Sequence, residues 1–374
     1  MKHILKIYLI LTSFFVQKNG YSTQWTVSND PTRPAQFTSV VSAINAAANG
    51  DTILIAGSQT GYNITTNPYI ITKKIVLIGE GVNNPDGYST IIQGVGNAFL
   101  TFGRLNATQS SNDSKIIGIE FNNFNEINID GNFSGSTVVE RNISNIEFSK
   151  CEFRGSVNLY FRNTYNNCKV KNCLFGQNSQ IYCNNSPNNF IITNSIFYSD
   201  DSNGSFFNSD NATLNQQVSF KNCLILNRTL TFFYNTNGVV VENCIFYKAE
   251  PTGPINSLFN NNLTYLCNNN TLPPTTGTGN TGTGNIQNTN PLFINYPPLG
   301  GVFAWTHDYG LQVGSPAIGA GTGGTDIGLT GGMYPLNQLK GNSPLPVVTS
   351  LSLPNSSVPL NGTLQGNIQA KVRN

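Results

Sequence analysis

Residues 168–175 read Cys-Lys-Val-Lys-Asn-Cys-Leu-Phe, and variants of this octet recur through the middle of the chain. The other copies are ISNIEFSKCEF ending at Phe153, FIITNSIF ending at Phe197, VSFKNCLI ending at Ile225, VVVENCIF ending at Phe246, and a weaker IIGIEF ending at Phe121. Their shared kernel is apolar-x-Asn-Cys-x-apolar, with Ser195 in place of the Cys in one copy and Lys150 in place of the Asn in another. That Cys or Ser falls at positions 151, 173, 195, 223 and 244, so successive copies are 22, 22, 28 and 21 residues apart.

A repeat of this length suits one coil of a parallel β-helix, in which three short strands are joined by turns. It is too short for a propeller blade or for a repeat built from two helices. Leucine-rich repeats also align asparagines, but their Leu-x-x-Leu-x-Leu frame is missing here. We therefore predict an all-β fold: a single-stranded right-handed parallel β-helix, a solenoid with a short N-terminal capping helix.

The octet also explains how a coil turns its corner. Val170 is expected to point inward, Asn172 to form a tight corner, and Cys173 to point inward on the next strand. Asparagine tolerates the left-handed backbone conformation that such a corner needs. Coils stack about 4.8 Å apart, so the corner residues are predicted to form a ladder of side-chain hydrogen bonds. The members of this ladder are Asn172, Asn194, Asn222 and Asn243.

The chain has seven cysteines, which in a secreted protein suggest a disulfide framework. Four of them share one repeat position with Ser195, as expected of small buried residues in a stack. These four, Cys151, Cys173, Cys223 and Cys244, are predicted to be buried and not linked to one another. A Cys168–Cys183 pair stays open, and the odd total leaves at least one free thiol.

Residues 36–59 change their hydrophobic period halfway along. Apolar residues first recur at helical spacing, at Phe37, Val40, Val41, Ile44 and Ala47. Gly50 then ends the helix, and residues 52–56 alternate as a short strand. The open end of a solenoid has unpaired backbone groups, so this short helix is predicted to cap it.

The N-terminus resembles a secretory signal, because Lys2 and Lys6 precede an apolar run, residues 7–16, that is too short to span a bilayer. Cleavage after Ser22 would remove three lysines and no acid, leaving 17 basic and 18 acidic residues of the original 20 and 18. The mature chain would be nearly neutral, which does not favour a nucleic acid or an anionic membrane as a partner. We expect a secreted protein, extracellular or on the cell surface, with no transmembrane segment in the mature chain.

Two further segments resemble a known family. Residues 37–58, FTSVVSAINAAANGDTILIAGS, resemble the N-terminal cap and first strand of pectin-lyase-like right-handed β-helix proteins. The motifs Asn290–Phe293 (NPLF), Leu311–Gly321 (LQVGSPAIGAG) and Asp326–Gly328 (DIG) are similar to the closing segment of secreted bacterial β-helix proteins, many from Bacteroidetes. The resemblance covers roughly residues 35–335 and implies the fold and secretion. Its group mixes polysaccharide lyases, glycosidases and adhesins, so it implies no single activity.

The expected organisation is a signal peptide at 1–22, a β-helix domain at 23–335 that includes the N-terminal cap and the closing segment, and an extended tail at 336–374.

The alternation of inward and outward residues along the strands defines one outward column: Glu120, Glu152, Leu174, Ile196, Leu224 and Ile245. The adjacent outward column is Asn122, Arg154, Gly176, Tyr198, Leu226 and Tyr247.

The first two coils of these columns are charged. Polysaccharide lyases of the family that this chain resembles need carboxylates that bind calcium and an Arg or Lys that acts as the base, all on one outer face. Glu120 and Glu152, one coil apart with Arg154 beside them, are therefore the candidate catalytic residues. The alternative is a solvated row of ion pairs with no chemical role.

The next four coils are apolar. Leu174, Ile196, Leu224 and Ile245 would form an outward patch that water should not see. Either the tail (346–374) or the 249–290 loop covers this patch, or the patch binds a ligand. In the second case Tyr198 and Tyr247 are the candidate ligand-binding residues, because tyrosine rings stack on sugar rings.

Three other motifs give weaker indications of function. Asp200, Asp201 and Asp210 form a loose acidic loop that could hold calcium, but their spacing matches no known calcium loop and an ordinary polar turn is the favoured explanation. His307 lies inside the closing segment, where a packing role is expected. A formal G-x-G-x-x-G begins at Gly277, but without a preceding strand or a following helix it does not predict nucleotide binding.

Two functions remain. The first is a carbohydrate-binding or carbohydrate-active protein at the cell surface, a polysaccharide lyase or glycoside hydrolase if it is an enzyme, with a polysaccharide or a cell-surface glycan as partner. The second is a non-catalytic, adhesin-like scaffold. No cofactor is implied with certainty, calcium being the one candidate. An ice-binding solenoid is a distant third, because no coil-to-coil Thr-x-Thr ladder is present.

Overall fold

A computed structural model describes residues 22–84, 87–133, 142–176, 178–185, 187–199, 205–210, 212–301, 303–336, 347–352 and 367–371. The signal peptide expected at residues 1–22 lies, apart from its last residue, outside the described part of the chain. Within the described residues, no helix has both the length and the apolar character needed to cross a membrane.

The described residues form mostly short strands, with one α-helix among them, α1 (Val40–Ala46), near the N-terminal end. The strands of the first half are β1 (Gln24–Val27), β2 (Thr52–Ile55), β3 (Tyr62–Ile64), β4 (Tyr69–Ile71), β5 (Val76–Gly79), β6 (Ile91–Gly103), β7 (Lys115–Ile117), β8 (Glu120–Asp130), β9 (Asn142–Ser144), β10 (Glu147–Ser149), β11 (Glu152–Arg154), β12 (Asn158–Arg162), β13 (Thr164–Asn166), β14 (Lys169–Lys171), β15 (Leu174–Phe175), β16 (Ile181–Cys183) and β17 (Pro187–Asn188). The remaining strands are β18 (Phe190–Thr193), β19 (Ile196–Tyr198), β20 (Phe207–Asn208), β21 (Thr213–Lys221), β22 (Leu224–Thr231), β23 (Phe233–Tyr234), β24 (Asn237–Glu242), β25 (Ile245–Glu250), β26 (Leu258–Asn260), β27 (Leu263–Tyr265), β28 (Phe293–Asn295), β29 (Asp308–Leu311), β30 (Val347–Ser352) and β31 (Asn367–Lys371).

The first face of the molecule is a ten-stranded parallel sheet in the order β1-β2-β5-β7-β10-β14-β18-β21-β24-β26. Each strand pairs in register with the strand one coil later. Phe148 lies opposite Val170, for example, and Val170 lies opposite Ile192. Equivalent residues of the repeat therefore stack directly above one another, as the repeat predicts.

The second large sheet forms two more faces, because its longest strands bend around a corner. The N-terminal part of β8 pairs with β11, and its C-terminal part pairs with β12. From there the second face continues through β11, β15, β19, β22, β25 and β27, and the third through β12, β16, β20 and β23. A short sheet of β9, β13 and β17 precedes the first face. Three faces of parallel strands around one core are a parallel β-helix, which confirms the predicted fold.

The interior is a set of side-chain stacks that run along the axis. The ring of Phe175 stacks on Phe153 with 4.6 Å between centroids, and on Phe197 with 4.8 Å. All seven cysteines are buried and free, which confirms the prediction for the four repeat cysteines and shows Cys168 and Cys183 unpaired. Burial raises the pKa of the Cys168 thiol to about 12, so this group stays a neutral thiol at physiological pH.

The repeat asparagines occupy left-handed corners as predicted, with φ of 52° at Asn172, 47° at Asn194, 52° at Asn222 and 56° at Asn243. Their side chains do not bond one another, so the predicted ladder of mutual hydrogen bonds is wrong at this corner. A mutual bond of that kind joins Asn189 Nδ2 to Asn167 Oδ1, 2.8 Å apart, at a different corner.

The repeat asparagines instead bind the closing segment, defined here as residues 291–336. Asn194 donates to the carbonyl oxygens of Leu329 and Gly331, and Asn222 donates to those of Asp326 and Gly328. At the two ends, Asn172 donates to the carbonyl oxygen of Tyr334, and Asn243 accepts from the backbone N–H of Thr322. The closing segment thus runs along the corner, crossing several coils in the opposite direction to their order in the chain.

This path covers the outward apolar patch. Leu174, Ile196, Leu224 and Ile245 are at most 5% exposed. They belong to a second apolar cluster, whose closing-segment members are Phe293, Tyr296, Phe303, Tyr309, Ala317, Ile327 and Leu329. The patch is covered as expected, but the covering element is the closing segment. The tail is not that element in the described structure. The 249–290 segment extends the column by one coil at Leu263, and Tyr265, Leu266 and Ile286 are partly buried against the cluster.

The two ends of the described chain differ. At the N-terminal end, Ser39 caps α1 by accepting from the Ser42 N–H, and Val40, Ala43 and Ile44 are buried against the first coil. The predicted capping helix is therefore confirmed. In the tail, β30 and β31 pair with each other in antiparallel orientation. The rest of the tail lies outside the described residues.

Candidate functional site

The two candidate glutamates lie side by side on the second face. In the register of β8 and β11, Glu152 is directly opposite Glu120 on the preceding coil, as the repeat predicts. Both are outward by alternation, yet Glu120 is 4% exposed and Glu152 is 1% exposed. Two like charges held this close in a buried position would repel each other strongly, so the pair favours a state in which one carboxyl is protonated.

Arg154 is the positive group beside this pair. It lies opposite Asn122 in the same strand pair, and its guanidinium is 3.6 Å from the Glu120 Oε1 atom. The Arg154 side chain is 58% exposed, whereas that of Glu120 is only 5% exposed. The cation therefore faces solvent while its carboxylate partner lies beneath it.

The protonation of the pair follows from burial and charge. The pKa of Glu152 is raised to about 8, first by burial and then by the nearby Glu120, with Arg154 opposing both effects. Burial also raises the pKa of Glu120, which Arg154 lowers through its charge and its hydrogen bond. Because the two groups titrate together, these values belong to the pair. At neutral pH the raised pKa favours a proton on Glu152, while Arg154 favours the charged form of Glu120.

An open groove of about 520 Å³ adjoins this column where three successive coils turn from the second face to the third. It is lined by Gln93, Gly94, Val95, Gly96, Asn97, Asn123, Phe124, Asn125, Gly155 and Ser156. Gln93 pairs in register with Asn122, which pairs with Arg154, so the groove lies directly beside the arginine.

The groove is concave because equivalent turn residues adopt the left-handed conformation. Asn97 and Asn123 both have φ of 56°, and Ser156 has φ of 66°. Gly94 is required for a different reason: a Cβ atom there would lie 2.7 Å from the carbonyl oxygen of Asn123. The coils can therefore approach closely on this wall, while the amide side chains stay at the surface.

The groove combines three kinds of chemistry. Its amide side chains both donate and accept hydrogen bonds, which matches the mixed demands of sugar hydroxyls. Val95, 46% exposed, adds an apolar surface. Arg154 adds a fixed positive charge next to the groove. Sequence reasoning identified the charged residues from alternation, but it missed the groove because turn residues carry no periodic signal.

The two tyrosines that were candidate ligand residues are covered by protein. Tyr247 is 1% exposed, and its hydroxyl donates to the carbonyl oxygen of Pro298 at 2.8 Å. Tyr198 is half-buried and stacks on Phe303 of the closing segment with 4.2 Å between centroids. Both rings therefore pack against the closing segment: Tyr247 is closed to a sugar, and Phe303 occupies the stacking face of Tyr198.

The candidate calcium loop is only partly described. Asp200 and Asp201 lie outside the described residues. Asp210 is exposed, and its backbone N–H donates to Asn208 Oδ1 at 2.8 Å, as in an ordinary polar turn. Across the described residues, no three His, Cys, Asp or Glu side chains come together in an arrangement that could hold a metal ion.

His307 packs within the closing segment. Its Nδ1 atom accepts from the backbone N–H of Ala304 and lies 3.3 Å from the Tyr309 hydroxyl. Its ring meets that of Tyr296 edge-on, with 5.1 Å between centroids. Partial burial lowers its pKa, which favours the neutral ring. These contacts agree with the packing role that the sequence predicts.

No protein-family profile matches the chain, and no curated protein matches it in sequence. Solved structures similar to it include ORF18 of Geobacillus virus E2, 14% identical, with 65% of this chain and 56% of the viral chain covered at a TM-score of 0.41. The match therefore spans little more than half of the viral protein.

Two carbohydrate-active proteins are also similar. Pectate lyase Pel9A is 13% identical, with 82% of this chain and 96% of the lyase covered at a TM-score of 0.34. The A-module of the Azotobacter vinelandii mannuronan C-5 epimerase AlgE4 is 10% identical, with 66% and 88% covered at a TM-score of 0.35. Both have the pectin-lyase-like β-helix fold that the sequence motifs resemble. At these similarities they carry nothing about activity, and the fold is assigned from the strand pairing.

Proposed function

We propose that this protein binds a polysaccharide or a cell-surface glycan in the groove lined by Gln93, Asn97, Asn123 and Asn125, next to Arg154. The single observation that carries the proposal is this groove, whose exposed lining is dominated by amide groups beside an exposed cation. Amides bond hydroxyls in both directions, and arginine bonds carboxylates with a planar pair of donors. An oligosaccharide that contains acidic sugars satisfies all of these groups.

Binding is favoured over catalysis because of where the carboxyls lie. A protonated carboxyl beside an ionised one is the pair that glycoside hydrolysis uses, and Glu152 and Glu120 form such a pair. Both carboxyls are nearly inaccessible, however, while a general acid must reach the glycosidic oxygen. Cleavage of the bound glycan is therefore the second candidate function, and it would require the pair to become accessible in the complex.

The experiment that tests binding uses the full chain on an array of neutral and acidic oligosaccharides, followed by calorimetric titration of the best binder. Asn125→Ala is the informative variant, because Asn125 lines the groove, is exposed, and has no left-handed backbone to strain. We expect affinity to fall about tenfold, the effect of roughly one well-formed hydrogen bond. Gln217→Ala, an exposed amide outside the groove, is the matched control and should bind like the parent. Equal binding by all three proteins would refute the site.

We further propose that the protein acts outside the cell, on the strength of the signal-like residues 1–22. Expression of the full chain in a secreting host, with mass analysis of the protein in the medium, tests this. A mature N-terminus at Thr23 is expected, and retention of the intact chain inside the cell would contradict it.

A further inference from the structure

A row of outward side chains on the third face contains a gap. Tyr160, Tyr182, Asn208 and Tyr234 lie opposite one another in register on β12, β16, β20 and β23. Their inward neighbours on the last three strands, Ile181, Phe207 and Phe233, are fully buried. Alternation therefore points the row outward, with three tyrosines and a single asparagine.

One end of the row is a closed stack. Tyr160 and Tyr182 stack with 4.1 Å between centroids and 7° between planes. The guanidinium of Arg162 covers Tyr160 at 4.3 Å from its ring centroid. Arg162 is itself held by Glu126 at 2.8 Å and by Asn128 at 2.9 Å. Adjacent tyrosines in this row thus meet face to face, and the arginine completes the stack at that end.

The regular stack stops at Asn208, where a third ring would otherwise follow. Tyr234 is two coils beyond Tyr182, so the two residues are spaced about 9.6 Å apart along the axis. Tyr182 is half-buried, and Tyr234 is 54% exposed. A space bounded by two tyrosines, with the short Asn208 side chain at its base, is therefore left open at the surface.

The size of this space admits a single six-membered ring. Ring-to-ring contacts against an aromatic face place centroids about 4.5 Å or more apart, and two such contacts fill about 9 Å. A pyranose ring has apolar C–H groups on its faces and hydroxyls around its edge, so it can contact both tyrosines at once. An aromatic ring fits the same spacing, as the stack of Tyr160 on Tyr182 shows, but unlike a pyranose it has no ring of hydroxyls at its edge to meet a polar group at the base of the gap.

Asn208 supplies the polar contact. Its Oδ1 atom accepts from the Asp210 N–H at 2.8 Å, which fixes the amide orientation. In the described part of the chain its NH₂ group has no hydrogen-bond partner, so it can donate to a hydroxyl at the ring edge. We propose that the gap between Tyr182 and Tyr234, with Asn208 at its base, is a second sugar site that takes one pyranose ring between the two tyrosines.

This site is separate from the groove. The groove lies on the coils of β6, β8 and β11, whereas the gap is centred on β20, three coils after β8 and about 14 Å away along the axis. The inference therefore does not depend on the proposed function, and variants can separate the two.

The test is calorimetric titration of the full chain with a panel of neutral and acidic trisaccharides. The variants are Tyr234→Ala, Tyr234→Phe and Asn208→Tyr. We expect Tyr234→Ala to weaken binding about tenfold and Tyr234→Phe to retain it, because the ring face makes the contact. We expect Asn208→Tyr to fill the gap, abolish binding there, and raise the melting temperature by extending the stack.

The outcomes are distinct. Unchanged binding in Tyr234→Ala, loss of binding in Tyr234→Phe, or full binding in Asn208→Tyr would each overturn the site, as would a parent protein that binds no sugar. Binding of 4-nitrophenol but of no sugar would overturn the pyranose as occupant. If Asn125→Ala binds normally while Tyr234→Ala does not, the gap stands and the groove fails. If Tyr234→Ala binds normally while Asn125→Ala does not, the groove site stands and the gap site is refuted.

Discussion

Glu152 lies directly opposite Glu120 in the parallel register of neighbouring coils, and both carboxyls are almost completely buried. In a parallel stack a residue type that repeats from coil to coil is brought into contact with itself. For phenylalanine this is favourable, but for glutamate it is unfavourable unless a proton or a cation intervenes. Here both are involved, the proton through the raised pKa of Glu152 and the cation through Arg154.

The first prediction concerns pH and stability. The pKa of Glu152 rises from 4.5 to about 8 on folding, so the folded state keeps a proton that the unfolded state loses. The contribution of this group is fully present below about pH 4.5 and is lost as the pH rises to 8, by at most ~1.4 kcal/mol per pH unit. Glu152→Gln should remove this slope, as measured by urea unfolding at pH 5, 6.5 and 8. Glu147→Gln, which removes a carboxylate paired with Lys171, is the control. Parallel profiles for the parent and Glu152→Gln would contradict the prediction.

The second prediction concerns Arg154 and ligand charge. If the groove binds acidic sugars through this arginine, Arg154→Gln should weaken binding of acidic oligosaccharides about tenfold and that of neutral ones much less. Titration with a matched acidic and neutral pair measures the difference. Lys169→Gln, on the first face, is the control for loss of one positive charge. An equal loss for both ligands would assign Arg154 a structural role, holding Glu120.

The third prediction concerns the closing segment. Removing the Asn194 amide leaves the carbonyl oxygens of Leu329 and Gly331 without that donor, at a cost of about 1–3 kcal/mol. Asn194→Gly keeps the left-handed corner, whereas Asn194→Ala adds about 1–2 kcal/mol of backbone strain. Hydrogen exchange of residues 320–336 should increase in both variants. Asn189→Gly, at a corner that the closing segment does not cover, should leave that exchange unchanged.

The fourth prediction concerns the aromatic stack. Phe175 contacts a parallel ring on each side, so Phe175→Ala should destabilise the protein by about 3–5 kcal/mol, and Phe175→Leu by less. Chemical unfolding measures both values. A loss below about 1 kcal/mol for the alanine variant would mean that the coils collapse around the missing ring.

The fifth prediction concerns the thiols. Since all seven cysteines are free, thiol titration in denaturant should find seven reactive groups before reduction and the same number after it. A smaller number before reduction would reveal a disulfide.

The fold could be predicted from sequence because a coil repeats its inward and outward positions. Cys173 with its equivalents and the left-handed Asn172 are local features, and the structure has them where the pattern predicts. The contact between Asn194 and Leu329 spans 135 residues, and no local pattern encodes such a partner. For the same reason the apolar patch was correctly expected to be covered, but by the wrong segment.

The candidate site was predictable only in part. Alternation placed Glu120, Glu152 and Arg154 together, since their spacing follows the coil. Their burial depends on surrounding chain that the repeat does not describe. The groove at Asn97 and Asn123 arises from turns between strands. The gap arises where Asn208 interrupts the row of tyrosines. Neither feature recurs from coil to coil, so the repeat pattern does not predict it.

The closing segment also constrains how this molecule can evolve. Solenoids lengthen or shorten by duplication or deletion of single coils, which is easy when each coil contacts only its neighbours. Here the bonds from Asn172 to Tyr334 and from Asn243 to Thr322 tie well-separated coils to one continuous strip of chain. A duplicated coil would bring an extra asparagine and an extra outward apolar residue with no covering segment opposite them. Coil number and closing-segment length must therefore change together, so inserted or deleted coils should be tolerated mainly before Asn172, the first corner asparagine that bonds the described part of the strip.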